Sequence, residues 1–447
     1  MATLDRRGFL KAGAAAAAMT MTARVRAQAQ GANERVILGF MGAGGRGSFL
    51  ADEFARRSDV EIRYVADPDL RRANAGAKAL EQILPKAPVV HQDFRRMLDD
   101  QEVDAIVMAT PDHWHALGTI LACQAGKDVY VEKPTSHSIW ESRKMVEAAR
   151  NHKRVVQVGA QNRSNDNVVQ AREYAHSADF GDIHFVRVLN SKERSTVGRK
   201  PDLPSAPEGV DYDMWLGPAP KKPFNENHFH YAWHWFWDYS GGDIINDGVH
   251  QIDIARWVIG RKHPKSVVSA GGIYSFKDDQ ETPDTHTVNW EYDDMEMVFE
   301  QALWAPYLKK TPVEIRDNDK IPNWPFNGTR VEIYGTKQMM FLGRHGDGWQ
   351  AFDADGQAVR TEPGLFSPSN VAHSDNFIAC IRSRELPAAD IEELHLSTLL
   401  CHYGNIAYRT GRKLHIDPDT DGFKDDDGAN ALVKRTYRDP YVIPENV

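Results

Sequence analysis

The chain is poor in cysteine, in long apolar runs and in excess positive charge, and each shortage excludes something. Its 447 residues include only three cysteines, Cys123, Cys380 and Cys401. They lie far apart without Cys-x-x-Cys spacing, which excludes a disulfide framework and a thiolate zinc site. Beyond the first thirty residues no apolar run approaches the roughly 20 residues of a membrane span, and the mean hydropathy is −0.53. An integral membrane role is excluded. Lys and Arg number 54 against 63 Asp and Glu, a net charge of −9. No basic block interleaves with aromatics, so nucleic acid is excluded as a partner. What is present, 41% hydrophobic and 26% charged residues, suffices for a large core and two domains.

The N-terminus reads as an address. Asp5-Arg6-Arg7-Gly8-Phe9-Leu10-Lys11 precedes a small apolar stretch, Ala12 to Met21, and then Ala27-Gln28-Ala29. This order resembles a twin-arginine export signal cleaved after Ala29, so residues 1–29 are set apart from the fold and a periplasmic or otherwise exported location is expected. The segment carries five basic residues and one acid, so the remaining chain is more acidic still. The resemblance also implies export in the folded state, with any cofactor already bound.

Val36 to Met41 is an apolar run of strand length that leads into Gly42-Ala43-Gly44-Gly45-Arg46-Gly47 and a helical stretch from Ser48 to Arg57. That is G-x-G-x-x-G between a strand and a helix. Gly42 permits the turn, Gly44 lets the backbone approach a pyrophosphate, and Gly47 allows close packing of helix on strand. A second alternating run, Val60 to Ala66, ends at Asp67, placed to accept hydrogen bonds from ribose hydroxyls and favouring NAD. Arg71 and Arg72 close behind keep NADP open. Strand candidates Ala105 to Ala109, Val129 to Val131 and Val155 to Val158 alternate with helical Phe94 to Asp99, Ala116 to Ala125 and Trp140 to Asn151. This predicts an α/β fold with a doubly wound parallel sheet. Ligands bind such sheets at the carboxyl ends of the strands. Those ends are Thr110-Pro111-Asp112-His113-Trp114-His115, Glu132-Lys133-Pro134 and Gln161-Asn162-Arg163.

The glycine loop, Asp67-Pro68-Asp69, Thr110-Pro111-x-His113-x-His115-Ala116, Ala125-Gly126-Lys127-x-Val129 and Glu132-Lys133-Pro134 resemble, in order and spacing, the glucose-fructose oxidoreductase / inositol dehydrogenase / MocA family. The resemblance implies a Rossmann domain, 34–163, and a C-terminal α+β domain, 164–447, with a large, mostly antiparallel sheet that serves substrate binding and homo-oligomer contacts. It implies cofactor contacts from Gly42, Ala43, Gly44, Gly45, Arg46, Gly47, Asp67, Thr110, Pro111, His113, His115, Glu132, Lys133 and Gln161. It also carries a catalytic role to Lys133, whose ammonium polarises the substrate oxygen.

Residues 196–227 hold six prolines and little periodicity and read as a long loop. The aromatic run from His228 to Tyr239 follows, with three readings open: a sugar-stacking wall, a structural cluster, or a metal site from His228, His230 and His234. No metal is expected, because that spacing has no fixed thiolate or carboxylate partner. Trp235, Trp237, Asp238 and Tyr239 are the candidate substrate contacts, together with Asn246. Gly242 to Trp257 reads as a helix with His250, Asp253 and Trp257 on one face. The resemblance makes His250 the general acid/base, a role suited to a group titrating near neutrality. The family usually places aspartate four residues before this histidine, where this chain has Asn246, with Asp247 three before. Either Asp247 pairs with Lys133 or an amide replaces the acid. Short β-rich runs over 265–300 and 330–359, two helical patterns near 369–384 and 391–409, and an irregular acidic tail from Asp417 complete the chain.

The expected function is an exported NAD(P)-dependent oxidoreductase moving hydride between a sugar, cyclitol or glycoside and a tightly held nicotinamide. The alternatives are NAD-dependent glycoside cleavage by transient C3 oxidation, and a non-catalytic carbohydrate-binding protein.

Overall fold

The computed structural model describes residues 35–316, 320–344, 347–364 and 367–447. The expected export signal lies outside the described residues. Six strands form the first sheet: β1 (Val36–Met41), β2 (Val60–Ala66), β3 (Val89–His91), β4 (Ala105–Met108), β5 (Asp128–Val131) and β6 (Val156–Val158). All are parallel, in the order β3-β2-β1-β4-β5-β6. Every residue of β4 and β5 is buried, as expected where helices cover both faces. The one charge in them, Asp128, is held by Arg384 Nη2 at 2.8 Å. Strand order changes direction between β1 and β4, which opens a crevice at their carboxyl ends. The sequence reading omitted β3 and the helix Leu70–Leu80 beside it. That helix is alanine-rich and short of large apolar residues, and its clearest signal is Asp69, whose carboxylate caps it by accepting from Arg71 N at 3.0 Å.

The second sheet comprises β7 (Ile183–Ser191), β8 (Ser266–Gly272), β9 (Thr285–Glu291), β10 (Glu296–Ala302), β11 (Arg330–Gly335), β12 (Met339–Gly343), β13 (Trp349–Phe352), β14 (Ala358–Glu362), β15 (Leu414–Asp417) and β16 (Gly422–Phe423). Their order is β14-β13-β12-β11-β7-β10-β9-β8-β15-β16. Only β7 and β10 pair in parallel; the other ladders are antiparallel. Because β12 is antiparallel to β11 and β11 to β7, the carboxyl ends of β7, β10 and β12 meet at one edge. That edge faces the Rossmann crevice.

Two helices cover the inner face, Val249–Ile259 and Ile391–Thr410. The second joins the domains: Leu399 and Tyr403 sit in the core with Val288 and Trp290, whereas Ile391 and Leu394 sit with Met145 and Val156. The loop 196–227 is largely irregular, as expected, with one short helix, Tyr212–Leu216. Its Trp215 and Phe224 join Phe229, Trp233, Phe236 and Tyr239 in a separate aromatic core. The tail from Asp417 is largely irregular, as expected, and it is anchored. Tyr441 packs edge-on against Trp114, with ring centroids 5.5 Å apart, and Arg435 Nη2 donates to the His113 carbonyl at 2.7 Å.

Candidate active site

One cleft of about 460 Å³ runs from the glycine loop to the start of the helix bearing His250. At one end Gly42 has φ +96°, and a Cβ there would lie 2.6 Å from the Ala109 carbonyl oxygen; at Gly47 it would lie 2.0 Å from that of Gly42. Only glycine serves at either position. A Cβ on Gly45 would meet nothing within 4 Å, so the loop stays open where an anion approaches the N-terminus of Gly45–Ala55. Asp67 accepts from Ala43 N through Oδ2 and from Asp69 N through Oδ1, each at 2.9 Å. Burial raises its proton affinity against those two bonds. Each oxygen keeps a second lone pair for a ribose hydroxyl. The Thr110 hydroxyl in the cleft wall is buried without a partner among the described residues, a polar atom suited to meeting a ligand. These features fit a dinucleotide. Of the two arginines that kept NADP open, Arg71 is clamped by Asp69 through two 2.8 Å bonds, while Arg72 lines the cleft.

Arg46 and Glu132 form an ion pair at 2.6 Å across the cleft floor. The Gln161 amide lies 3.0 Å from the Tyr130 hydroxyl beside them. Pro111 also lines the cleft. His113 and His115, expected at the cofactor, are instead wholly buried in the wall. His113 Nε2 lies 3.0 Å from the Trp215 carbonyl oxygen, and burial pushes its pKa down to about 3. His115 spans two loops, with Nδ1 2.7 Å from the Pro134 carbonyl and Nε2 3.1 Å from that of Thr110. A neutral ring donates to only one of them. The motif histidines therefore brace the strand-end loops that carry Thr110 and Lys133.

At the other end Lys133, at the end of β5, donates from Nζ to the Asn246 carbonyl at 2.6 Å and to Asn246 Oδ1 at 3.3 Å. The amide replaces the acid. Residues Ile244–Gly248 form a turn of π-helix ahead of Val249–Ile259, and this extra residue per turn rotates Asp247 away from Lys133. Asp247 lines the cleft but pairs with Lys192, Lys310 (2.6 Å) and Arg344 (2.9 Å). Burial opposes its charge, but Arg344, Lys192 and Lys310 outweigh it and hold the carboxyl well below the usual range. His250 lines the same cleft. Burial first, then Arg344 and Lys133, push its proton affinity well below that of ordinary histidine, so the ring is neutral near pH 7. The expectation of titration near neutrality is thereby corrected. Asp253 on the same helix accepts from Arg163 Nη2 at 2.8 Å, and Arg163 lies over Trp257; these two build the helix into the fold.

The aromatic wall differs from the one expected. Tyr231, Trp233, His234 and Trp215 line the cleft. Trp235 lines an adjoining depression, Trp237 and Asp238 a separate one beside His137 and Arg409. Tyr239 is buried in the aromatic core, 5.2 Å between ring centroids from Trp215. Short 3₁₀ turns at Glu226–His228 and Ala232–Trp235 break any regular period, so side-chain direction was not readable. The three histidines of the metal reading separate. His228 packs on Phe236, His230 Nε2 lies 3.1 Å from Asp69 Oδ2, and His234 Nδ1 lies 2.6 Å from the Tyr231 carbonyl.

Sequence reasoning missed Lys192, Lys310 and Arg344, for which no local signal exists. Asp112 stands in the sequence reading only as part of the strand end Thr110 to His115, with no role of its own. Asp112 is buried in the cleft wall and accepts from Ser240 Oγ at 2.5 Å. Burial pushes its carboxyl up to about 7, against the Ser240 hydrogen bond and the Lys133 charge.

A family model described as an oxidoreductase family with an NAD-binding Rossmann fold matches residues 36–160, and its companion, a C-terminal alpha/beta domain, matches 194–300 and 330–443. An uncharacterized oxidoreductase, YrbE, of Bacillus subtilis is 23% identical over 304 residues, 68% of this chain and 72% of its own. Inositol 2-dehydrogenase 4 of Saccharopolyspora erythraea is 26% identical over 248 residues, 54% of this chain and 60% of its own, so the match spans under two thirds of that relative. Among solved structures, the WlbA dehydrogenase of Bordetella pertussis, in complex with NADH and UDP-GlcNAcA, superposes with a TM-score of 0.62 at 19% identity, covering 86% of this chain and 99% of its own. That likeness is one of fold. With both family models matched in order over the two domains, the chain belongs to the Gfo/Idh/MocA oxidoreductase family, an NAD-binding Rossmann domain followed by that family's C-terminal domain.

Proposed function

We propose that the protein is an exported dehydrogenase that interconverts a hydroxyl and a carbonyl on a sugar, cyclitol or glycoside. The observation that carries this reading is that Lys133 and His250 line the same cleft as the glycine loop. NAD, when bound along Gly42–Gly47 with Asp67 at its ribose, supplies the hydride acceptor or donor. The chain supplies the rest. Lys133 has three ammonium protons, two of them directed at Asn246, which leaves one for the reacting oxygen. The neutral His250 ring accepts the hydroxyl proton, and the adjacent cations favour the developing oxyanion. Tyr231 and Trp233 offer ring faces to the carbon skeleton. Export rests on the order Arg6-Arg7, apolar stretch and Ala27-Gln28-Ala29; it favours a captive nucleotide recycled by a second substrate. Assembly through the C-terminal sheet is supported by Val268, Ile273 and Tyr274, which are exposed on and just beyond β8.

The test is to purify the folded protein and follow its nicotinamide absorbance while adding sugars, cyclitols and glycosides, with aglycone release assayed on the same samples. A lasting change with one compound, reversed by a second, is expected. Lys133→Ala should slow it by about 10²–10⁴-fold. Aglycone release without lasting change would move the reaction to redox-assisted glycoside cleavage, and failure to bind NAD would overturn both.

A further inference from the structure

At the far end of the cleft the carboxyl ends of β7 and β12 and the loop after β10 deliver Lys192, Arg344 and Lys310 to a single carboxylate, Asp247. Lys192 also holds Asp243 at 2.6 Å. With Lys133 one residue away at Asn246, four cations face two carboxylates, an excess of two positive charges. The groups around them do not cancel it. Glu193 and Lys309 offset one another at the rim, Asp347 and Arg316 offset one another behind Arg344, and Arg194, 3.8 Å from the centroid of the Trp235 ring, is matched by Asp278 and Asp284. Arg344 is buried, and its Nε and Nη1 have no acceptor among the described residues. Unmatched positive charge in a confined site is costly unless an anion completes it.

The excess lies where a ligand can reach it. A depression of about 420 Å³, lined by Lys192, Lys310 and Trp235, adjoins the cleft and shares Tyr231, Asn246 and Asp247 with it. A molecule whose carbinol meets Lys133 therefore extends toward Lys310, which lines that depression, with Arg344 buried behind Asp247.

Resting on the dehydrogenase reading above, we propose that the substrate is a sugar acid, a uronate or aldonate, whose carboxylate is received at Lys310, in the field of Arg344 behind Asp247, while its reacting hydroxyl lies at Lys133. An excess of two charges suits a carboxylate together with a developing oxyanion at the reacting carbon. A neutral hexose would leave the excess unmatched.

The test uses the NAD-loaded protein, titrated calorimetrically with glucuronate and galacturonate, each beside its methyl ester, and with a hexose 6-phosphate. Nicotinamide absorbance is read on the same samples. Each acid that binds should bind at least ten-fold more tightly than its ester at low salt, with the ratio shrinking as salt rises. Lys310→Met should bring the ratio toward one, and Lys310→Arg should keep it. Lys310 is half exposed, so neither change threatens folding; Arg344→Gln, checked by circular dichroism, should act as Lys310→Met does. Esters binding as tightly as acids, a ratio that survives Lys310→Met, a phosphate preferred over both acids, or no binding at all would each overturn the proposal. Selective binding of an acid with no lasting absorbance change would retain the anion site and sink the dehydrogenase reading. Preferred binding and oxidation of a neutral ester would do the reverse.

Discussion

Lys133 Nζ donates to both oxygens of Asn246, 2.6 Å to the backbone carbonyl and 3.3 Å to the side-chain amide. The ammonium is therefore aimed by an uncharged partner. The acid next in sequence, Asp247, is engaged instead by three other cations.

This arrangement makes Asn246 a positioning residue whose backbone contributes the shorter bond. Asn246→Ala removes only the longer one, so kcat should fall about five-fold, the equivalent of about 1 kcal/mol, with NAD affinity unchanged. Single-turnover rates and a nucleotide titration check both. A loss equal to that of Lys133→Ala would show that the amide does more than aim the ammonium.

Asp112 gives stability a pH dependence of predictable sign. Its carboxyl titrates near 3.8 when unfolded and near 7 when folded. Between those values the native state holds a proton that the unfolded state has lost, so stability falls as pH rises through this window, by up to about 4 kcal/mol. Asp112→Asn should flatten that slope and stabilise the protein at pH 8 relative to pH 5. Urea unfolding at the two values measures it.

The glycine loop separates two substitutions that look alike in sequence. Gly47→Ala drives a Cβ to 2.0 Å from the Gly42 carbonyl, which should cost at least about 1–3 kcal/mol and abolish tight NAD binding. Gly45→Ala meets nothing within 4 Å and should change stability by less than about 0.5 kcal/mol. Thermal melts with and without NAD discriminate the pair.

Arg163 and Asp253 are an ion pair with side chains 2% and 3% exposed. Removing one partner leaves the other charge buried, so Arg163→Met should cost about 3–5 kcal/mol. The double substitution Arg163→Met with Asp253→Leu should recover part of that loss. Equal losses in the single and double variants would argue against a charge penalty.

The Rossmann half was legible because its signals are local. A strand of unbroken apolar residues, a glycine turn with no room for Cβ and a terminal acid at Asp67 lie close together in sequence, and short-range sterics fix their meaning. Lys133 and His250 were readable through resemblance, since each sits in a recognisable stretch. What resisted reading was direction and long-range assembly. The motif histidines His113 and His115 looked like ligands but face into the wall, because their rings close onto carbonyls of neighbouring loops. The aromatic run gave residue types but not facing, because 3₁₀ turns set no usable period, and so Trp237 and Tyr239 point away from the cleft while Tyr231 and Trp233 line it.

The sequence by itself determined the parallel sheet, the nucleotide loop and the identity of the lysine at the end of β5, all consequences of interactions within a few residues. The tertiary structure alone decided the partner of Lys133, the proton affinities of Asp112 and His250, and the gathering of Lys192, Lys310 and Arg344 around Asp247. Those depend on burial and on which strand ends meet at one sheet edge, and both arise only when segments far apart in the chain pack together.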